Sequence, residues 1–200
     1  MKRILLFLSV ILITNFSFSQ TALSNAFSES YTFEYNKDYV AAIGVLDPFY
    51  DANSYEINLR LGWLTYNNGD YVKSQVYYKN AINISPNSIE AMLGYAYPTG
   101  ALENWEDIIA TYNNILSIDP NNYTVNSRLA YIFYVRKAFE KANNYAKKVS
   151  DQYPFDYNNN LLLGKINVSL GKVTLAKFYL TKALLYNPTS SDVLGLLKTL

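Results

Sequence analysis

Cysteine and histidine are both absent from the 200 residues. Their absence removes Ser-His and Cys-His nucleophile pairs, thiolate chemistry, disulfides and the usual ligands of zinc and haem. An excess of one charge is missing too: 17 basic residues stand against 16 acidic ones, a formal +1. That balance offers no net field for nucleic acid or an anionic membrane. No phosphate-binding loop, EF-hand loop or dinucleotide fingerprint occurs. Glu103, Glu106 and Asp107 cluster around Trp105 as paired catalytic carboxylates could, but acids that open a helix are accounted for by its amide-rich end. The sequence predicts a non-catalytic chain with no cofactor, no metal and no nucleic-acid partner.

A long apolar run is also lacking. Ile4 to Ile13 is about half the roughly 20 residues needed to cross a bilayer before Thr14 and Asn15 interrupt it. Lys2 and Arg3 precede the run, and Ser17 and Ser19 follow it just before Gln20. This is the layout of a signal peptide over residues 1–19, cleaved after about Ser19. No cysteine follows to accept a lipid. The expected product is exported, periplasmic or secreted, with no integral membrane anchor after cleavage. The lack of cysteine says nothing of compartment, since a cysteine-free chain suits both redox environments.

What the chain does contain is a period. Pro86, Pro120, Pro154 and Pro188 stand 34 residues apart. Tyr71, Trp105, Phe139 and Val173 keep the same step, with Tyr39 lying 32 before Tyr71. Gly62, Ala96, Ala130 and Gly164 form a small-residue register, as do Ser74, Ala142 and Ala176, broken by Ile108. A repeat of this length marks stacked supersecondary units. Within a repeat the spacing is helical: Tyr71, Ser74, Tyr78 and Ala81 step by three and four, and so do Leu59, Gly62 and Tyr66. Asn67-Asn68-Gly69-Asp70 between them supplies a stop and a new N-cap. Proline closes the second helix because it lacks an amide donor and biases its predecessor away from helical angles. Each repeat is a helical hairpin.

Leu61-Gly62, Gly69-Asp70-Tyr71, Tyr78, Ala81 and Pro86, and again Leu163-Gly164, Gly171, Ala176, Ala183 and Pro188, make the chain resemble the tetratricopeptide repeat family. The likeness runs over about 23–190. It implies an all-α, right-handed superhelical solenoid of about five hairpins, at about 23–54, 55–88, 89–122, 123–156 and 157–190, with a short capping helix over 191–200. Residues 20–200 would form this one domain. The first repeat departs from the pattern because Pro48 stops its second helix early. The third departs because Ile108 and Ile115 replace small residues, while Pro98 and Gly100 are expected to interrupt its first helix. In the cap, Asp192 or Ser191 is expected to receive the first amides, and Val193, Leu194, Leu196, Leu197 and Leu200 to dock on the last repeat or to form an apolar edge for a partner or second copy.

In this family the first helices of successive repeats line a concave groove that holds extended peptides or partner helices. The residue after each small position then points into the groove: Tyr31, Trp63, Tyr97, Tyr131 and Lys165. Tyr66 and Tyr134 lie one turn on, and Arg60 and Arg128 three residues before the aromatics share roughly their face. Such a ladder suits an extended polypeptide, because rings give broad contact at low entropic cost and arginine binds carboxylates through two hydrogen bonds. Aromatics at helical spacing are also what a core requires. The Asn doublets and Asn158-Asn159-Asn160 fall at boundaries where asparagine is cheap. The resemblance implies a non-catalytic interaction scaffold of the cell envelope or secreted space, holding a protein or peptide along the groove. The other reading is an assembly subunit of an envelope complex that uses the solenoid ends or convex face.

Overall fold

The computed structural model describes residues 21–200; the expected signal segment, residues 1–19, lies outside them. Short polar side chains set where its helices begin. Asp38, Ser54, Asp70, Ser88, Asn122, Asp156 and Ser190 each accept a hydrogen bond from the amide three residues on, satisfying a donor that the first helical turn leaves unpaired. The helices that follow are α1 over 21–35, then α2 Tyr39–Gly44, α3 Tyr55–Asn67, α4 Tyr71–Ile84, α5 Ile89–Ala101, α6 Trp105–Ile118, α7 Tyr123–Val135, α8 Phe139–Gln152, α9 Tyr157–Ser169, α10 Val173–Tyr186 and α11 Ser191–Lys198. A 3-10 turn, Asp47–Phe49, follows the short α2 where Pro48 stands. No strand occurs among the described residues. No described helix is long and apolar enough to cross a membrane.

Each hairpin turns through one left-handed residue. Gly69 (φ 86°) and Gly171 (φ 69°) occupy that position in two repeats, while Lys37 (φ 61°), Glu103 (φ 57°) and Lys137 (φ 58°) occupy it in the others. The geometry is common to all five; only two repeats have the residue that adopts it without a Cβ penalty.

The chain divides into two compact units, Met1–Thr111 and Tyr112–Leu200, with the division inside α6. In the N-terminal unit, Ala42, Leu46, Leu61 and Leu64 are fully buried, with Phe27, Phe33 and Phe49 packed against them. Tyr78 of α4 passes between α3 and α5, because Gly62 and Gly94 leave it room: a Cβ at Gly94 would stand 2.2 Å from Tyr78 Cε1, and one at Gly62 3.0 Å from Cδ2. In the C-terminal unit Ala130, Ala142, Ala146, Leu163 and Ile166 form the corresponding core, and Leu180 fills the space over Gly164.

Two local expectations are corrected. Helix α5 runs unbroken through Pro98 to Ala101. Proline so near the end forfeits a single intrahelical bond, and Leu102 still donates to the Pro98 carbonyl. Gly100, 34 residues after Tyr66, does not interrupt the helix either, and an added Cβ there would meet Ile108 Cδ1 at 3.5 Å, an ordinary van der Waals contact. Ile108 and Ile115, which replace the small residues of the other repeats, are both buried. At the C-terminus the N-cap is Ser190, not Ser191 or Asp192. Val193, Leu196, Leu197 and Leu200 lie in one cluster with Leu180, Ala183, Tyr157 and Leu161, so α11 covers the last hairpin. Leu194 alone of its large apolar residues is markedly exposed, at 40%.

The asparagines carry structure. Asn58, Asn126 and Asn160 are buried, and each Nδ2 donates both to a carbonyl in the preceding loop and to that of its N-cap residue. Tyrosine phenols add a second tie between neighbouring repeats. Tyr55 bonds Ser88 Oγ (2.7 Å), Tyr123 donates to Asp156 (2.7 Å) and Tyr157 bonds Ser190 Oγ (2.8 Å), in each case reaching the next first helix's N-cap side chain.

Candidate functional site

The small residues of the first helices face inward and their successors face out. Ser30, Gly62, Ala96, Ala130 and Gly164 are all buried. Tyr31 is 56% exposed, Tyr97 38% and Tyr131 61%, while Trp63 and Lys165 are half-buried. Tyr31, Tyr97 and Tyr131 therefore stand on a surface, while Trp63 packs partly against the core.

In the N-terminal unit they flank a cleft of about 890 Å³ between α1, α3 and α5. Tyr31, Trp63 and Tyr97 line it along with Phe27, Leu59 and Leu93, and Tyr78 and Gly94 form part of its floor. Trp63 meets Tyr97 edge-on at 6.1 Å, and Tyr66 closes the cluster at 5.5 Å from Tyr97 and 6.0 Å from Trp63. These rings are fixed before anything binds, which lowers the entropy lost on contact.

Arg60 departs from the expected carboxylate clamp. Arg60 is buried at 7% exposure. It donates to Ser30 Oγ through Nε (3.2 Å) and Nη2 (3.1 Å) and to Glu34 through Nη1, and its guanidinium lies 3.9 Å over the Tyr31 ring. Glu34 also accepts from Trp63 Nε1. Arg60 thus holds Tyr31 directly and Trp63 through Glu34, and its charge is matched inside the wall. Arg128 lies in the other unit, where its Nη1 donates to the Tyr112 hydroxyl at 2.9 Å.

With Arg60 and Glu34 paired, the remaining cleft charges are the carboxylates of Glu56 and Glu90, both exposed. They stand 34 residues apart, so the repeat register itself marks them. Tyr55 donates to Glu90 at 3.1 Å, and burial, opposed by its bond to Ser88, raises the Tyr55 phenol above its ordinary value. The cleft is an aromatic trough with an acidic rim.

The C-terminal unit holds a second cleft, of about 490 Å³, lined by Tyr131, Tyr134, Asn158, Leu162, Lys165 and Leu196. Tyr134 packs 5.9 Å from Phe139. Lys165 pairs with Asp192 of α11 at 3.1 Å. The expected ladder thus falls into two sets, one in each unit: Tyr31, Arg60, Trp63, Tyr66 and Tyr97, then Arg128, Tyr131, Tyr134 and Lys165. Among the described residues no three acidic side chains group closely enough to hold a metal ion.

A tetratricopeptide-repeat family model matches residues 55–88 and 157–190. The solved structure of MamA, residue 41 to end, from Desulfovibrio magneticus RS-1 superposes with a TM-score of 0.72 at 16% identity, over 85% of this chain and 97% of that one. A tetratricopeptide repeat protein from Parabacteroides merdae ATCC 43184 gives 0.75 at 15% identity, over 90% of this chain and 72% of that one. No curated protein matches the sequence. Identities this low speak for the fold alone. Residues 55–88 and 157–190 are thus tetratricopeptide repeats, and they sit in a chain whose all-helical fold is that of tetratricopeptide-repeat solenoids.

Proposed function

We propose that the chain is a non-catalytic interaction scaffold that holds a protein segment in the cleft of its N-terminal unit. The observation that carries this reading is the grouping of exposed Tyr31 and Tyr97 with half-buried Trp63 around one trough, at a position where neighbouring residues of the same helices are buried. Trp63, Tyr66 and Tyr97, already in contact with one another, serve as a broad apolar platform beside Tyr31. Glu56 and Glu90 at its rim favour a segment that carries lysine or arginine beside apolar residues, since a cation desolvated against rings and carboxylates gains from both.

Its place is the cell envelope or the secreted space, by the signal-like residues 1–19. Mass measurement of the chain recovered outside the cytoplasm should give an N-terminus at about Gln20. A full-length chain recovered only from the cytoplasm overturns that part. For the cleft, Trp63→Ala with Tyr97→Ala should abolish capture of the bound segment while far-UV circular dichroism keeps its helical signal. Capture that survives the double substitution overturns the reading, and loss of helicity would make the rings structural.

A further inference from the structure

The chain's near-neutral total conceals two opposite halves. Residues 21–111 carry four basic and eleven acidic side chains, a formal −7, whereas Tyr112–Leu200 carries eleven basic and five acidic ones, a formal +6. On the basic unit, α10 has no acidic residue, and its outward face is apolar and cationic. Leu175, Phe178, Lys182 and Leu185 follow a three-and-four spacing opposite the buried Ala176, Leu180 and Ala183. Leu175, Phe178 and Leu185 are 47%, 51% and 69% exposed. The Lys182 ammonium lies 4.8 Å over the Phe178 ring, and the exposed Lys177 flanks the stripe. A soluble monomer rarely displays such a row on one helix without a use for it.

We propose that the α10 ridge of one copy docks in the acidic aromatic cleft of another, so that chains associate head to tail. This rests on the reading of the cleft as a protein-binding site and names its occupant. Phe178 and Leu175 would enter among Tyr31, Trp63 and Tyr97, and Lys182 and Lys177 would meet Glu56 and Glu90. The two surfaces are complementary in charge, ring against ring in chemistry, and carried by the same chain in opposite units. The contact joins a cleft to a ridge, two unlike patches of the same chain, so association grows with concentration. Opposite charges steer the encounter, and salt weakens it.

The absence of cysteine provides a direct test. One chain carrying Glu90→Cys and another carrying Phe178→Cys, mixed under oxidising conditions at low salt, should form a disulfide-linked pair well above the level of either same-site pair. Charge gives a second readout. By sedimentation velocity, Glu56→Lys with Glu90→Lys, or Lys177→Glu with Lys182→Glu, should each weaken self-association about tenfold or more, and mixing the two reversed chains should restore it. Lys147→Glu, on an exposed site elsewhere in the basic unit, should change it little. Circular dichroism checks that each variant stays helical, as its exposed sites require. A chain that is monomeric at all concentrations and salts overturns the proposal, as does association that both reversals leave intact. Should the chain stay monomeric while its cleft captures another protein, or its basic unit bind anionic vesicles, the occupant named here is wrong and the cleft reading stands.

Discussion

Gly94→Ala and Gly195→Ala are the same chemical change with opposite expected signs. In a helix the substitution alone is favourable by about 0.5–1 kcal/mol, because alanine loses less backbone entropy on folding. At Gly195 on α11 nothing lies within 4 Å of the added Cβ, so that gain should appear undiminished. At Gly94 the new methyl would stand 2.2 Å from Tyr78 Cε1, 2.7 Å from Cζ and 2.8 Å from Cδ1. The ring cannot retreat, since it is 3% exposed and its other face lies against Gly62. Overpacking of this kind costs about 1–3 kcal/mol, and with the tightest approach taken near the upper end the net loss is about 2 kcal/mol. Urea unfolding followed by circular dichroism measures both. In a Tyr78→Leu background the Gly94→Ala penalty should shrink, since the two sites share one contact. If Gly94→Ala stabilises as Gly195→Ala does, Tyr78 does not fill the α3–α5 crossing and the packing described for the N-terminal unit is wrong.

Other consequences follow from the same structure. Lys137→Gly should stabilise by about 0.5–1 kcal/mol, because a left-handed residue with a Cβ is strained at φ 58° and glycine is not; a lower unfolding midpoint counts against the turn geometry. Asn160→Ala removes the donor shared by the Pro154 and Asp156 carbonyls in a buried site and should cost about 2 kcal/mol, whereas a neutral result would mean water replaces it. Tyr55, Tyr77, Tyr95 and Tyr123 all have phenols raised above the ordinary 10.0, the first three mainly by burial and Tyr123 mainly by its bond to Asp156. A raised folded-state value gives stability that is complete below pH 10 and lost as pH climbs through the folded values. With no histidine in the chain, stability should be nearly flat from about pH 6 to 9 and fall above about 10; a marked slope near neutrality refutes this.

The architecture was legible wherever a residue type is forced by geometry. Pro86, Pro120, Pro154 and Pro188 end second helices because no other residue stops a helix so strongly, and Gly62 and Gly164 are small because Tyr78 and Leu180 need their space. Residues that substitute for one another hid the rest. Lys37, Glu103 and Lys137 hold the turn conformation of Gly69 and Gly171, so the turn register is invisible in composition. Asn58, Asn126 and Asn160 share the 34-residue step, yet their bonds reach backbone carbonyls, whose positions no side-chain pattern reveals. Pro98 looked like a break because a proline's effect depends on how many helical bonds remain after it, and here the helix was already ending. At the site, the register located the exposed rings. It could not show that Arg60 is spent on Ser30 and Glu34, because that pairing crosses from α3 to α1. Glu56 and Glu90 stand in the 34-residue register, but only the pairing of Arg60 with Glu34 leaves them as the charges of the cleft. The opposed charges of the two halves were likewise present in the sequence and cancelled in its total.

The central claim, that the aromatic cleft is the working surface, is tested most directly by a photo-reactive phenylalanine placed at Tyr97 and, in a separate chain, at Val72, which is 64% exposed on α4 and outside the cleft. Irradiation in intact cells followed by peptide mapping should give one defined cross-linked segment from position 97, carrying lysine or arginine beside apolar residues, and little from position 72. Equal yields from both positions, or none from position 97, would contradict the account.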